Sequence, residues 1–468
     1  MALTLGLLPF HLDLDIAVLG YLGTDELAAA AFAQMVITFS GITLWQGFGD
    51  ALIALSSQAV GAQNPRLAGI WLQTSLLCIC VAALPIGVVW WFTGAILALA
   101  NVADNVQRLA SLYARVSLLW LIPDALFAGF YQWLNGQQLV KPTIAINCFF
   151  VLFNLAVNVL LVHGGLGWPG LGFVGSPLAT ASTKILRGVV VVWWVCYMKE
   201  LHAETWHPWT WSSVSRERIK VFMEQALPGA FAGLLEQGQF VTITLMVGSL
   251  PGTAQLAAHS GVLNTFSVVT CGMYGLTDAG ASTVGFRLGN GDPLAAKRAA
   301  KALLICTCVM GCVVGALFLV GQHVIGRIFS TDPMVWHYAS QISCLCGAAY
   351  FMLSLTFASF GTLQGQGRPS VAAVAMLFGL WGVSVPLAWW GLRHWGGLVG
   401  VWWGLVGGYA SMTTIMVAMV ARSDWQRYAD EAMVRSERVP VDAGDTKDRF
   451  RPLQESGATA EDWHCPQE

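Results

Sequence analysis

The chain has 468 residues, of which 56% are hydrophobic and only 11% are charged. Soluble domains carry about 25% charged residues, so this composition excludes a soluble globular protein. The formal net charge of -2 offers no basic excess for nucleic acid, so we expect a membrane protein without a nucleic-acid partner.

Apolar runs long enough to span a bilayer, about 20 residues each, recur along the whole chain. They predict twelve membrane helices at residues 2–22, 31–60, 67–95, 106–134, 142–163, 171–197, 221–248, 253–286, 296–324, 335–363, 369–392 and 396–421. The first run contains no Lys or Arg and no typical cleavage site, so it predicts a membrane helix rather than a signal peptide. It is short, which leaves open whether the natural chain begins upstream.

Lys and Arg residues are distributed unequally between the connections of these predicted helices. Thirteen lie in the even-numbered connections and at the start of the tail: Arg66, Lys141, Lys199, Arg216, Arg218, Lys220, Arg287, Lys297, Arg298, Lys301, Arg368, Arg422 and Arg427. The odd-numbered connections hold only Arg108, Arg327 and Arg393. Because cytoplasmic loops are rich in Lys and Arg, both termini are predicted to face the cytoplasm. The sequence does not distinguish a plasma membrane from a vacuolar membrane.

The longest connection, residues 198–220, carries charge and Trp and separates six predicted helices from six. We therefore predict an N-lobe at residues 1–197, a cytoplasmic inter-lobe loop at 198–220 and a C-lobe at 221–421. The last 47 residues, 422–468, hold 18 of the 50 charged residues. Such a segment buries too little apolar surface to form a core, so it is predicted to be a disordered cytoplasmic tail.

Short motifs recur in the same order in both halves. The motif at 47–51, Gly-Phe-Gly-Asp-Ala, returns at 275–279 as Gly-Leu-Thr-Asp-Ala, an offset of 228. Similarly, Leu-Asn-Gly-Gln at 134–137 returns at 363–366 as Leu-Gln-Gly-Gln, an offset of 229. Ordered matches of this kind indicate an internal duplication. Since each half has an even number of helices, the halves are predicted to be parallel, pseudo-symmetric lobes around a central cleft.

Further fragments carry a resemblance to a known family. They include Asp15-Ile-Ala-Val-Leu-Gly-Tyr-Leu-Gly, Ser57-Gln58-Ala-Val-Gly61, Phe153-Asn154-x3-Asn158, Gly175-Ser-Pro-Leu-Ala-Thr180, Pro228 followed by Glu236, and Gly365-Gln-Gly-Arg368-Pro369. Their order and spacing resemble those of the multidrug and toxic compound extrusion (MATE) family, in its eukaryotic form. The resemblance covers the chain up to about residue 421.

The resemblance implies a secondary active transporter that works by alternating access. Its partners would be the lipid bilayer, protons and an organic small molecule, cationic or amphipathic, which it would export in exchange for protons. It implies a monomer without cofactor or metal. Leu353 stands where sodium-coupled members carry an acid, which favours protons over sodium.

Three other functions are weighed against this one. A sodium-coupled antiporter and a lipid-linked flippase belong to the same superfamily. An intramembrane aspartyl protease would require a Gly-x-Gly-Asp element, and the glycine-rich run at 164–172 contains no Asp. We therefore predict that the protein is not an enzyme.

Ionisable side chains inside membrane helices are energetically costly and by default mark a pathway or a proton relay. We select seven candidates: Asp13, Asp15, Asp50, Asp124, Glu236, His259 and Asp278. Glu236 lies two turns past Pro228 in an apolar segment, and the resemblance makes it the proton or cation site of the C-lobe. Its alternative role is a carboxylate that Gln237 or Gln239 satisfies at a helix contact.

The resemblance also makes Asp15 the proton or cation site of the N-lobe, although a shortened first helix would leave it near the surface. Asn154 and Asn158 lie one helical turn apart, where their amides can hydrogen-bond that carboxylate or a substrate. Polar residues of this kind equally often only join helices.

Asp50 and Asp278 occupy equivalent positions of the repeat. Either they form an acidic pair at the cleft, or each caps a Ser/Thr-rich break in its own helix, which is the interpretation that we favour from sequence. Asp124 follows Pro123, a predicted kink whose freed carbonyls tolerate an acid. His259 titrates near physiological pH, but a solvated histidine is common near the outer end of a helix.

Overall fold

The computed structural model describes residues 18–19, 22–139, 141–165, 167–198, 205–206, 208 and 214–437. Within these ranges the protein is almost entirely helical and forms no β-strand. A bilayer offers no water to pair with backbone N–H and C=O groups, so each spanning segment satisfies them within its own helix. The all-α membrane fold expected from the composition is confirmed.

The helices are numbered here in chain order. They are α1 (Thr24–Gly61), α2 (Pro65–Trp91), α3 (Thr93–Leu99), α4 (Asp104–Gly136), α5 (Lys141–His163), α6 (Gly175–Trp193), α7 (Arg216–Gly248), α8 (Thr253–Gly289), α9 (Pro293–Val320), α10 (Gln322–Phe329), α11 (Pro333–Gly365), α12 (Pro369–His394), α13 (Leu398–Ala421) and α14 (Trp425–Glu437). Proline begins α2, α9, α11 and α12, at a position where its missing N–H is not needed.

The start of α2 and that of α9 reflect the internal repeat. Asn64 Oδ1 accepts from the N–H of Leu67 at 3.2 Å, and Asp292 Oδ1 accepts from the N–H of Ala295 at 2.8 Å. Each side chain pairs a free N–H group of the first helical turn. The two caps are 228 residues apart, the same offset as that of the two motifs containing Asp50 and Asp278.

Ten helices of the described chain are long and apolar enough to cross a membrane. They correspond to ten of the twelve predicted segments. The eleventh, α8, is less apolar and packs against α1, α9 and α11. The first predicted segment, 2–22, lies outside the described residues except for Val18, Leu19 and Leu22. The predicted count of twelve is therefore consistent with the fold.

The buried apolar side chains form two main clusters. One contains residues between Val18 and Ala226, and the other contains residues between Ala232 and Met416. The change from one to the other falls inside α7, because Phe222 packs edge-on against Phe48 of α1, with ring centroids 5.7 Å apart. The start of α7 thus contributes to the first cluster.

The two clusters meet where α1 packs against α7 and α8. A Cβ atom added at Gly61 would collide with the carbonyl of Phe286, and one at Gly289 would collide with the carbonyl of Gln58. These glycines let α1 and α8 touch backbone to backbone. We call this side of the molecule the basic end; it contains Arg66, Arg287, Arg368 and the turns at 62–64, 290–292 and 366–368.

The predicted disordered tail is wrong for residues 425–437, which form α14. Ala429 and Ala432 are fully buried against α8 and α9. Averaging the composition over 47 residues concealed a short stretch whose small apolar residues repeat every three positions, the spacing of a helix face. Residues beyond 437 lie outside the described residues.

Candidate functional site

A cavity of about 40 Å³ lies where α1 packs against the helices of the second cluster. Six helices line it: α1, α7, α8, α11, α12 and α13. Three carboxylates belong to the lining: Asp50, Glu236 and Asp278. Four aromatic rings line it as well: Tyr274, Phe357, Phe360 and Tyr409. Acids and aromatic faces both attract cations, and no Lys or Arg belongs to the described lining.

Glu236 lies on α7 and is half-buried at the cavity. The Tyr274 hydroxyl donates to its Oε1 at 3.3 Å, and the Tyr274 ring packs edge-on against Phe357, with centroids 4.9 Å apart. The expected alternative partner, Gln239, instead donates from Nε2 to Ser384 Oγ at 3.1 Å. The carboxylate of Glu236 therefore faces the cavity with a tyrosine as its hydrogen-bond donor.

Asp278 is buried on α8 and accepts a hydrogen bond from across the interface. Gln132 Nε2 of α4 donates to Asp278 Oδ2 at 2.9 Å, and Asn135 Nδ2 donates to Gln132 Oε1 at 2.9 Å. A Cβ atom at Gly49 would lie 2.8 Å from Gln132 Cγ, so α1 packs closely on the glutamine. These contacts orient the amide N–H toward Asp278.

Asp50 is buried on α1 and is also bound from across the interface. Gln364 Nε2 of α11 donates to the main-chain oxygen of Asp50 at 2.9 Å. The Asp50 carboxylate is close enough to Asp278 and Glu236 for electrostatic repulsion. Each aspartate therefore has an amide partner from the opposite half of the chain.

The interpretation favoured from sequence, that Asp50 and Asp278 cap local breaks, does not fit this geometry. Residues 43–61 form one helical stretch that includes Asp50, and α8 is helical through Asp278. Gln132, which donates a hydrogen bond to the Asp278 side chain, lies 146 positions away in the sequence. Sequence reasoning failed here because equivalence in a repeat does not reveal which helix faces a residue.

Asn154 and Asn158 of α5 are both fully buried, and neither belongs to the described lining of the cavity. Asn154 Nδ2 is 3.5 Å from the hydroxyls of Thr180 and Thr183 on α6. These contacts join α5 to α6. Asp15, whose carboxylate these amides were expected to hydrogen-bond, lies outside the described residues, and so does Asp13.

Asp124 belongs to a buried cluster of charges that joins α4 and α6. Its carboxylate accepts from Lys184 Nζ at 3.0 Å and from Arg187 Nη2 at 2.9 Å. The lysine lies over the Trp120 ring at 3.3 Å and the arginine over the Phe127 ring at 4.0 Å. Asp124 was expected to be tolerated by water and free carbonyls at the Pro123 kink. It instead forms ion pairs with two cations.

Lys184 and Arg187 were missed as candidates. Together with Thr180 and Thr183 they form a polar stripe on one face of α6, at the spacing of successive helical turns. A basic residue in an otherwise apolar membrane helix is as unusual as an acid, and that signal could have found them.

His259 is fully buried, which corrects the expectation of a solvated histidine. Its Nε2 lies 3.2 Å from Thr244 Oγ1, and its ring packs edge-on against Trp402 at 5.8 Å between centroids. It does not belong to the described lining of the cavity. The contacts hold α7, α8 and α13 together.

Comparison with known proteins identifies similar chains over nearly the whole length. The MatE family model matches residues 1–160 and 228–390. Multidrug and toxin extrusion protein 1 of Xenopus tropicalis is 26% identical over 427 residues, which cover 90% of this chain and 72% of that protein. Protein DETOXIFICATION 11 of Arabidopsis thaliana is also 26% identical over 427 residues, covering 90% of this chain and 86% of that protein. The crystal structure of the eukaryotic MATE transporter AtDTX14 shares the fold, with a TM-score of 0.84 at 22% identity over 93% of this chain and 96% of that chain.

Proposed function

This chain belongs to the MatE family of multidrug and toxin extrusion transporters, and from that premise we propose that it exports organic cations in exchange for protons. It is a multi-pass membrane transporter and not an enzyme. Residues 47–50 read Gly-Phe-Gly-Asp, the element required of an intramembrane aspartyl protease, but the family to which the chain belongs consists of transporters.

The observation that carries the proposal is the cavity with Asp50, Glu236 and Asp278 in its wall. A carboxylate in apolar surroundings is stabilised by an opposite charge, which either a proton or an organic cation supplies. The four aromatic rings offer faces for a flat or alkylated cation. Proton and substrate would therefore compete for the same wall of the cavity.

We assign Glu236 the coupling role, because Tyr274 is the one hydrogen-bond partner described for its carboxylate. Asp278 is held by Gln132, and Asp50 lies beside Gly229 and Gln364. These two acids supply further negative charge for the cation. Asp15 remains a proposed second proton or cation site on sequence grounds, with Asn154 and Asn158 as its proposed neighbours.

We place the basic end in the cytoplasm, because its turns carry most of the Lys and Arg residues. The close glycine contacts at Gly61 and Gly289 seal the interface at that end. The structure then corresponds to the conformation closed to the cytoplasm, and export requires α1 to separate from α8.

The test is transport by the purified protein in proteoliposomes with ethidium, a permanently charged aromatic cation, as probe. We expect a proton gradient to drive ethidium movement, collapse of the gradient by a protonophore to stop it, and a sodium gradient to have no effect. Ethidium movement driven by a sodium gradient alone would show that the coupling ion is sodium and not the proton. Absence of ethidium movement together with transfer of a fluorescent lipid between leaflets would favour the flippase alternative.

A further inference from the structure

The helix α14 lies across the basic end and is fixed to the second half of the chain. Ala429 and Ala432 pack into a small apolar cluster with residues of α8 and α9, namely Val284, Leu288, Ala296 and Ala300. Tyr428 lies under the guanidinium of Arg368 at 4.6 Å, and Met433 touches Gly291. α14 is therefore packed on α8 and α9 of the second half.

The last turn of α14 reaches across to the first half of the chain. Arg435 Nη1 donates to Gln58 Oε1 at 2.7 Å, and Asn64 Nδ2 donates to the main-chain oxygen of Ser436 at 3.2 Å. Gln58 lies in the last turn of α1, and Asn64 caps α2. The Arg435 guanidinium also contacts Gly367, in the turn between α11 and α12.

Gln58 contacts both α14 and the interface at which α1 closes against α8 and α11. Its Nε2 donates to the main-chain oxygen of Gly365 at 2.9 Å, and its own carbonyl lies against Gly289. Opening the basic end requires α1 to leave α8 and α11. Because α14 is held by α8 and α9, that movement has to break both the Arg435–Gln58 and the Asn64–Ser436 hydrogen bonds.

We propose that α14 is a latch that holds the basic end closed through Arg435 and Ser436. Release of its last turn precedes entry of a substrate from that end, so whatever displaces α14 sets the rate of opening. The proposal requires only that the two halves separate at this end. It does not depend on the substrate or on the coupling ion.

The test measures how fast a membrane-impermeant maleimide, applied at the basic end, reacts with a cysteine introduced at Gln46. This residue is exposed in the cavity wall. We expect Arg435→Ala to raise the labelling rate about tenfold, the effect of losing one charged hydrogen bond. Arg427→Ala is the matched control, since Arg427 lies on the exposed face of the same helix and pairs with Glu431. The same protein without the cysteine at 46 gives the background from the native cysteines.

A second variant tests the latch in the opposite direction. A disulfide between Asn64→Cys and Ser436→Cys should suppress labelling at position 46, and reduction should restore it. Labelling at the rate of the reduced form while the disulfide is intact would overturn the latch, as would an unchanged rate in Arg435→Ala. Neither readout uses substrate or an ion gradient, so both stand if the proposed proton exchange fails.

Discussion

At the scale of single residues, the cavity depends on carboxylates that come from different helices. Glu236 has a tyrosine donor, while Asp50 and Asp278 each have an amide from the opposite half. An amide side chain accepts and donates but carries no charge, so it can hold an acid without neutralising it. The acids are thereby positioned in the wall while their charge stays available to a cation.

Glu236→Gln should lower proton-driven export by more than about tenfold while leaving the protein folded. Glutamine keeps the shape and the contact with Tyr274, but it binds and releases no proton. The measurement is ethidium export from proteoliposomes under a proton gradient. Glu224→Gln, the same change at an exposed position of α7, is the control and should leave export unchanged. Normal export by Glu236→Gln would move the coupling role to Asp278 or Asp50.

At the scale of elements, α4 and α6 are joined by buried charges as well as by apolar side chains. Asp124 is surrounded by Lys184 and Arg187, and both cations are almost fully buried. Buried charges of this kind stabilise little by themselves, but removing one partner leaves the others uncompensated.

Asp124→Asn should therefore destabilise the protein by about 3 kcal/mol, because two cations would remain without their shared carboxylate. A thermal-stability assay in detergent checks this as a marked fall in melting temperature. Asp104→Asn changes the exposed first turn of the same helix and should cost only a few tenths of a kcal/mol, roughly the value of a charge near a helix N-terminus. Equal melting temperatures for the two variants would exclude a structural role of the ion cluster.

The contact of α1 with α8 gives a second prediction at this scale. Gly61→Ala places a methyl group against the carbonyl of Phe286, and overpacking of this kind costs roughly 1–3 kcal/mol. Closure of the basic end should weaken, and labelling of a cysteine at 46 from that end should rise about tenfold. Gly248→Ala is the control, since a Cβ atom there meets nothing within 4 Å. Equal labelling of both variants would show that closure does not depend on this contact.

At the scale of the whole molecule, the second half builds the cavity, α1 of the first half completes its wall, and the two halves are sealed together at one end. The seal combines backbone contacts at glycines with the crossing by α14. Both features lie at the end that carries the basic turns, so orientation in the membrane decides which compartment the cavity is closed to.

The proposed orientation predicts the accessibility of single cysteines in intact cells. A cysteine at Asp430, on the exposed face of α14, should react with an impermeant reagent only after permeabilisation. A cysteine at Thr331, exposed between α10 and α11 at the opposite end, should react without it. The reverse labelling pattern would mean that the orientation in the membrane is opposite to the one proposed. The cavity would then be closed to the outside.

The sequence by itself determined the membrane fold and indicated the duplication, and its count of twelve spanning segments is consistent with the fold. These follow from the length of apolar runs and from motifs repeated in order, which are local properties of the chain. It also identified Glu236, Asp50 and Asp278, because acids in membrane helices stand out by composition alone. Helix α14 was not predicted from the sequence, because the composition averaged over the charged segment 422–468 conceals a short amphipathic stretch.

Only the tertiary structure decided what these residues face. Asp50 and Asp278 line one cavity, Asp124 is bound to Lys184 and Arg187, and His259 is buried. Each outcome depends on which helices lie side by side, and contacts between positions 60 to 314 residues apart leave no periodic signal in the sequence. The physical reason is that one helix face looks the same in sequence whether it meets a cavity, an ion pair or a packed ring.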